Sequence, residues 1–215
     1  MAVAAPTRPL LERSATELAG NIREGEVSSR EVVEAHIERL AAVQPRINAL
    51  AADRFEAARA EADAADQRVS QAADPAELPP LLGVPCTIKE SIALRGMPNC
   101  AGLVSRREHR ATETAPAAAR LLAAGAIPLG VTNVSELTMW IESSNFVYGR
   151  TNSAYDPRRV AGGSSGGEGA AVGSGGSPIG LGTDIGGSIR LPAFFNGVFG
   201  HKGTPGLVPV NGHFP

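Results

Sequence analysis

Two serines set in glycine turns, Ser164 and Ser188, and one of only two lysines, Lys89, are the residues of this chain best suited to covalent chemistry. A serine hydroxyl becomes a useful nucleophile only when a positioned base takes its proton. Lysine can be that base where burial or a neighbouring cation favours its neutral form, its ordinary pKa being about 10.4. Positive charge in this chain is almost all arginine, 18 residues against Lys89 and Lys202. Arginine stays protonated in proteins, so a lysine among arginines marks a place where a neutral amine has a use. Lys89 ends the uncharged run LLGVPCTIK, whose Val84, Pro85 and Ile88 are compatible with burial. For Lys202, compositional drift suffices.

Both serines lie in AGGSSGGEGAAVGSGGSPIGLGTDIGGSIRLPA, residues 161–193, which holds 12 of the 25 glycines. A flexible Gly/Ser linker has no need of Ile179, Leu181, Ile185, Ile189 and Leu191, nor of Glu168, Asp184 and Arg190. Three chemistries compete for the stretch. A phosphate loop requires G-x-x-x-x-G-K-[ST], and no lysine lies between residues 90 and 201. A nucleophile elbow is matched by Gly162-Gly163-Ser164-Ser165-Gly166, with Asp184 and His201 or His213 following in the right order. The elbow needs a buried strand before it, however, and AYDPRRV with Pro157 and two arginines is a poor one; it stays a minority reading. The third chemistry joins Ser164 and Ser188 to Lys89 as base. TDIGGSIR would then place the backbone N–H groups of residues 185–188 around the reacting carbonyl, where losing one donor typically costs about 10²–10³ in rate. Gly186 and Gly187 suit a backbone that turns sharply beside a substrate.

The elements that must position these residues are legible in part. Ser14 with Glu17 and Ser28 with Glu31 form capping-box patterns, and residues 14–75 read as helices. Val33, Ile37 and Leu40 share one face of the second, with Pro45 expected just beyond its end. AADRFEAARAEADAADQRV is a strong helix former whose apolar side is mostly alanine, which predicts a surface position. ADPAELPP breaks the chain, after which residues 81–89 read as a buried strand, TAPAAARLLAAG as a helix and AIPLGVTN as a second buried strand, Pro128 casting doubt on its start. Short helices are expected at EGAAVG and at Ile189, and a strand that another backbone approaches closely at Gly180 and Gly182. The alternation predicts an α/β domain on a largely buried sheet, with residues 14–75 as helical cover and 81–215 as the catalytic sheet core.

Composition bounds the function. A formal net charge of −2 gives no electrostatic case for nucleic acid or an anionic membrane. No apolar run approaches a membrane span and the start lacks a basic n-region, so the expected location is cytoplasmic. Cys86 and Cys100 lack metal-site spacing and read as two reduced thiols.

The stretch GGSSGGEGAAVGSGGSPIGLGTDIGGSIRLPA strongly resembles the amidase signature family, and GVPCTIKES resembles its lysine-bearing strand. MWIESSNFVYGRTNSAYDPRRVAGGSSGGEG and AFFNGVFGHKGTPGLVPVNGHFP are most similar to its fatty-acid amide hydrolase 2 branch, and the likeness runs over residues 10–215. The resemblance implies a mixed central β-sheet covered by helices, and amide hydrolysis without metal or cofactor. It implies Ser188 as the nucleophile that forms an acyl-enzyme, Ser164 as a bridging serine after a cis Gly163–Ser164 bond, and Lys89 as the ultimate base. Ile185, Gly186, Gly187 and Ser188 would furnish the oxyanion hole, supported by Ser165, Asp184 and Arg190. Met139 and Trp140 would line an acyl pocket, a place in the core being the plain alternative. Ala161 and Gly203 stand where many members carry proline. The family also includes glutamine-hydrolysing amidotransferase subunits, an alternative the WIESSNFVYGRTN context resembles less. Members run well beyond Pro215, which predicts a fragment or truncated reading frame, and a catalytically incomplete fragment is the remaining alternative. The implied partner is a small-molecule amide, with no nucleic acid and no membrane; a homodimer is an open assembly.

Overall fold

The computed structural model describes residues 9–215; the reading of the first eight residues as part of a chain start without a secretory signal lies outside the described residues. Helices α1 (Ala15–Arg23) and α2 (Ser29–Ile47) both open on the expected capping boxes. Ser14 Oγ accepts the Glu17 N–H at 3.2 Å while Glu17 Oε2 accepts the Ser14 N–H at 2.7 Å. Ser28 and Glu31 repeat the exchange at 3.1 and 2.9 Å. Helix α2 runs through Pro45 instead of ending before it. The proline sits in the last turn, and Asn48 closes the helix in a left-handed conformation, donating its N–H to Gln44 O at 2.8 Å.

The expected run of helices is then interrupted. Strand β1 (Leu50–Asp53) pairs antiparallel with a later strand before α3 (Phe55–Gln71) begins, so the cover contributes an edge to the sheet. Ala58, Ala62 and Ala65 of α3 are buried as one stripe, and its charged side faces outward, as expected of a surface helix.

Strand β2 (Pro85–Lys89), helix α4 (Pro116–Ala123) and strand β3 (Ile127–Thr132) form a parallel crossover unit, every residue of both strands buried. Pro128 is accommodated because β1 pairs only with residues 130–132, and the register shifts between Cys86 and Ile88 opposite it. The Arg54 guanidinium also donates to Pro128 O at 2.7 Å. A two-stranded antiparallel pair, β4 (Ser144–Asn145) and β5 (Gly149–Arg150), lies apart from the main sheet. Helix α5 (Gly166–Gly173) starts two residues before EGAAVG; strand β6 (Gly180–Leu181) and helix α6 (Arg190–Phe195) follow, the latter capped by Ile189.

The main sheet has the order β1-β3-β2-β6, mixed in direction, with β2 parallel to both of its neighbours. Val33, Ile37 and Leu40 of α2 and Ala170 and Ala171 of α5 pack with Ile127 and Leu129; Ala118 of α4 packs with Ile88 and Val131. Helices thus cover a central mixed sheet, as the fold class requires. Because β2, β3 and β6 run in one direction, their carboxyl ends deliver Lys89, Thr132 and the segment at Thr183 to the same edge, the place where open α/β sheets put their ligands. Among the described residues no helix is long and apolar enough to cross a membrane.

Candidate active site

Lys89 is the last residue of β2 and is fully buried. Its amine lies 2.6 Å from Ser164 Oγ and 2.7 Å from Thr183 Oγ1. Burial brings its pKa down to about 7, against the opposing attraction of the Glu168 and Asp184 carboxylates. Near neutral pH the amine is therefore divided between two forms, and the neutral one has a lone pair to turn toward Ser164.

Ser164 sits in the turn that starts α5, after a cis Gly163–Ser164 peptide, and is almost completely buried. Two serines from the segment before β4 hold this turn. Ser143 Oγ donates to Ser164 O at 3.1 Å and accepts the Gly166 N–H at 2.8 Å, capping a helix whose own Ser165 makes no side-chain cap. Ser135 Oγ lies 2.8 Å from both Trp140 O and Glu142 O, fastening the strand of chain that passes over Gly163.

The third part is the turn between β6 and α6. Ser165 grips it: its N–H donates to Ser188 O at 3.2 Å and its Oγ lies 3.3 Å from Thr183 O. Asp184 organises it from inside, its side chain only 1% exposed. The carboxylate accepts the N–H groups of Gly187, Ile189 and Arg190 at 2.8, 3.0 and 3.2 Å and a bidentate Arg190 guanidinium at 2.9 and 3.0 Å. The Arg190 bonds, followed by those backbone donors, hold Asp184 well below the usual carboxylate range. The pair thus has a buried carboxylate end and an exposed guanidinium end. Gly187 takes φ +128°, a conformation only glycine adopts freely.

That bond to Asp184 changes the donor set expected from sequence. The Gly187 N–H is engaged, whereas those of Ile185, Gly186 and Ser188 have no hydrogen-bond partner among the described residues. Ser188 is half-buried, and its hydroxyl likewise makes no hydrogen bond there. The structure therefore joins Lys89 to Ser164 directly and brings Ser188 to the same turn through its backbone.

An open cavity of about 810 Å³ lies against this turn, bordered by Ser165, Glu168, Thr183, Asp184 and Ile185, by His201, Lys202 and His213, and otherwise largely by aliphatic residues such as Leu181; Lys89, Ser164 and Ser188 lie outside its border. Met139 and Trp140 do not line it and do not enter the core: they are 75% and 67% exposed. Left-handed backbone at Leu137 and Thr138 turns the chain there, and Trp140 contributes its carbonyl to the Ser135 hydroxyl. The elbow reading loses its partners, since no strand leads into Gly162 and Asp184 is committed to Arg190. His213 instead lies 3.2 Å from Ser91 Oγ, and burial, then the Lys89 charge, lowers its pKa. Sequence reasoning passed over Thr183, Ser143 and Glu168. Glu168 is the one charged residue between Arg159 and Asp184, which marks the residue but not its partners Thr87 and Thr132. Among the described residues no cluster of three or more His, Cys, Asp or Glu is arranged to hold a metal ion.

A model of the amidase family matches residues 31–215. The chain belongs to the amidase family. It is 54% identical over 213 residues to fatty-acid amide hydrolase 2-A of Danio rerio, an overlap of 97% of this chain and 40% of that protein. A glutamyl-tRNA(Gln) amidotransferase subunit of Roseiflexus castenholzii is 40% identical over 200 residues, 93% of this chain and 40% of that protein. Among solved structures, native peptide amidase from Stenotrophomonas maltophilia superposes with a TM-score of 0.89 at 31% identity, covering 96% of this chain and 43% of that one. The chain spans about two-fifths of the length of the curated relatives it matches.

Proposed function

We propose that this chain carries the catalytic apparatus of an amide hydrolase, with Ser188 as nucleophile, Ser164 as proton relay and Lys89 as base. The observation that carries the reading is the buried amine of Lys89, divided between its two forms near neutral pH and 2.6 Å from the Ser164 hydroxyl. Ser188 Oγ attacks the amide carbonyl carbon while its proton moves to Ser164 Oγ, and the Ser164 proton moves to Lys89 Nζ. The oxyanion that forms is received by the unbonded N–H groups of Ile185, Gly186 and Ser188. The C–N bond breaks as Lys89 returns its proton through Ser164 to the leaving amine, and water releases the acid from the acyl-enzyme by the same relay. Met139 and Trp140 are outside the cavity, so its aliphatic border is the better guide to substrate: an amide with an apolar acyl group. The amidotransferase relative supports a second reading, glutamine hydrolysis, which the aliphatic border favours less.

Turnover of an apolar acyl anilide, followed with pH, tests the assignment. Only neutral Lys89 can accept the proton, so the rate rises with pH through about 7 and then levels. Lys89→Arg keeps the charge and removes the base, which predicts a loss of at least about 10². Normal turnover in the Lys89→Arg protein would end the lysine-base reading. Faster release of ammonia from glutamine than of aniline would transfer the assignment to the second reading.

A further inference from the structure

We propose that Glu168 is a positioning residue for Lys89: its carboxyl ties the first turn of α5 to the ends of β2 and β3, and its charge governs how firmly the amine holds its proton. Helix α5 begins two residues after Ser164, and Glu168 is its third residue. From there the side chain reaches into the sheet, where Thr132 Oγ1 donates to Oε1 and Thr87 Oγ1 donates to Oε2, each at 2.7 Å. Thr132 is the register partner of Lys89 across β2 and β3. The third strand leaves room for the carboxyl by having no side chain: any Cβ at Gly180 of β6 would collide with Glu168 Oε2. Three parallel strands are thus shaped around one acid, which is near enough to Lys89 for its charge to act on the amine.

The chemistry of its partners makes the charge variable. Glu168 is buried, and among the described residues it forms no hydrogen bond or ion pair with a basic group; two hydroxyls serve it, and a hydroxyl can face either a carboxylate or a carboxylic acid. Burial pushes its pKa up to about 7, with the Thr87 and Thr132 hydroxyls and then Lys89 pulling the other way. Acid and amine therefore lose their protons over the same range, and in a low-dielectric site the two titrations are linked. The other charges around Lys89 stay fixed there. Asp184 is kept ionised by Arg190, burial keeps His213 below its ordinary value, and burial keeps the Cys86 thiol protonated. Ionised Glu168 holds the proton on Lys89, and neutral Glu168 releases it.

The proposal takes its catalytic meaning from the assignment of Lys89 as base, but its test reads the Lys89 proton without turnover. The whole chain, grown with ¹³Cε-lysine, gives two signals, Lys89 and Lys202, separated by Lys202→Arg. In a titration from pH 5 to 11, Glu168→Gln lowers the Lys89 midpoint by roughly half a unit or more and sharpens it to a single step. Thr132→Val removes one donor from the ionised carboxylate and moves the midpoint the same way by less. An unchanged Lys89 midpoint in a Glu168→Gln protein that still unfolds cooperatively overturns the proposal. Should that variant not fold, Thr132→Val decides, and an unchanged midpoint there overturns it. A midpoint that follows Glu168 in a chain hydrolysing no amide would retain the coupling and remove the base assignment.

Discussion

Among single side chains, the site shifts two groups in opposite senses: burial loosens the proton on Lys89, while hydrogen bonds keep Asp184 ionised. Asp184 gathers three backbone N–H groups and a guanidinium, and it positions the turn that holds the free N–H groups of Ile185, Gly186 and Ser188. Asp184→Asn loses the charge-assisted part of these bonds, which predicts about 1–3 kcal/mol lower unfolding free energy at pH 7 in urea denaturation. Since the carboxyl is held below its ordinary value, its stabilisation is present above about pH 4 and is lost as pH falls through the folded value. The gap between wild type and variant should therefore narrow below pH 4; a gap that stays constant there would contradict this role. Much of this scale was legible. Lys89 stood out as one of two lysines ending an uncharged strand, and both serines stood out in their turns. The partners of Glu168 and Thr183 were not legible, because they come from strands 36 to 94 residues away, and no local pattern encodes such a contact.

Legibility at the scale of elements depended on length and periodicity. Both capping boxes, the alanine stripe of α3 and the buried strands β2 and β3 follow from local sequence. Strand β1 was missed because LAAD is four residues long and two of them are alanines, too little for an alternation to register. Pro45 misled for a different reason: a proline in the last turn removes few helical bonds, so the breaker rule does not bind there. The expected close backbone approach at Gly180 is instead a side chain, the Glu168 carboxyl, and at Gly182 the near neighbour is the Ser165 side chain. The clamp made by Ser135 and Ser143 carries no sequence signature, since each hydroxyl reaches backbone groups that only the folded turn brings near.

For the molecule as a whole, the parallel ends of β2, β3 and β6 gather a buried amine, a carboxyl and a turn with free donors at one edge of the sheet. Burying Lys89 and Glu168 together leaves a mark on stability. Lys89 has its folded pKa below its ordinary value, so the unfolded chain binds more protons above pH 7 and stability rises with pH there. Glu168 has its folded pKa above its ordinary value, so the folded chain binds more protons between about pH 4.3 and 7 and stability falls with pH there. His36 and His213, whose folded values burial lowers, add a rising contribution below about pH 6.5. The Glu168 and Lys89 limbs are therefore read as differences between each variant and the wild type in urea midpoints from pH 5 to 8.5. Above that window the Cys86 thiol, its pKa raised by burial, opposes the rise. Lys89→Met should flatten the profile above pH 7 and Glu168→Gln should make it climb more steeply between pH 5 and 7, whereas variant profiles that run parallel to the wild type would contradict the paired burial.

The central claim, that Lys89 and Ser164 serve an attack by Ser188, is tested most directly by where a serine-reactive fluorophosphonate attaches. Mass spectrometry of the labelled chain should place the adduct on Ser188, with Ser188→Ala abolishing it and Lys89→Arg slowing it. An adduct on Ser164, or labelling that persists unchanged in Ser188→Ala, would contradict the account.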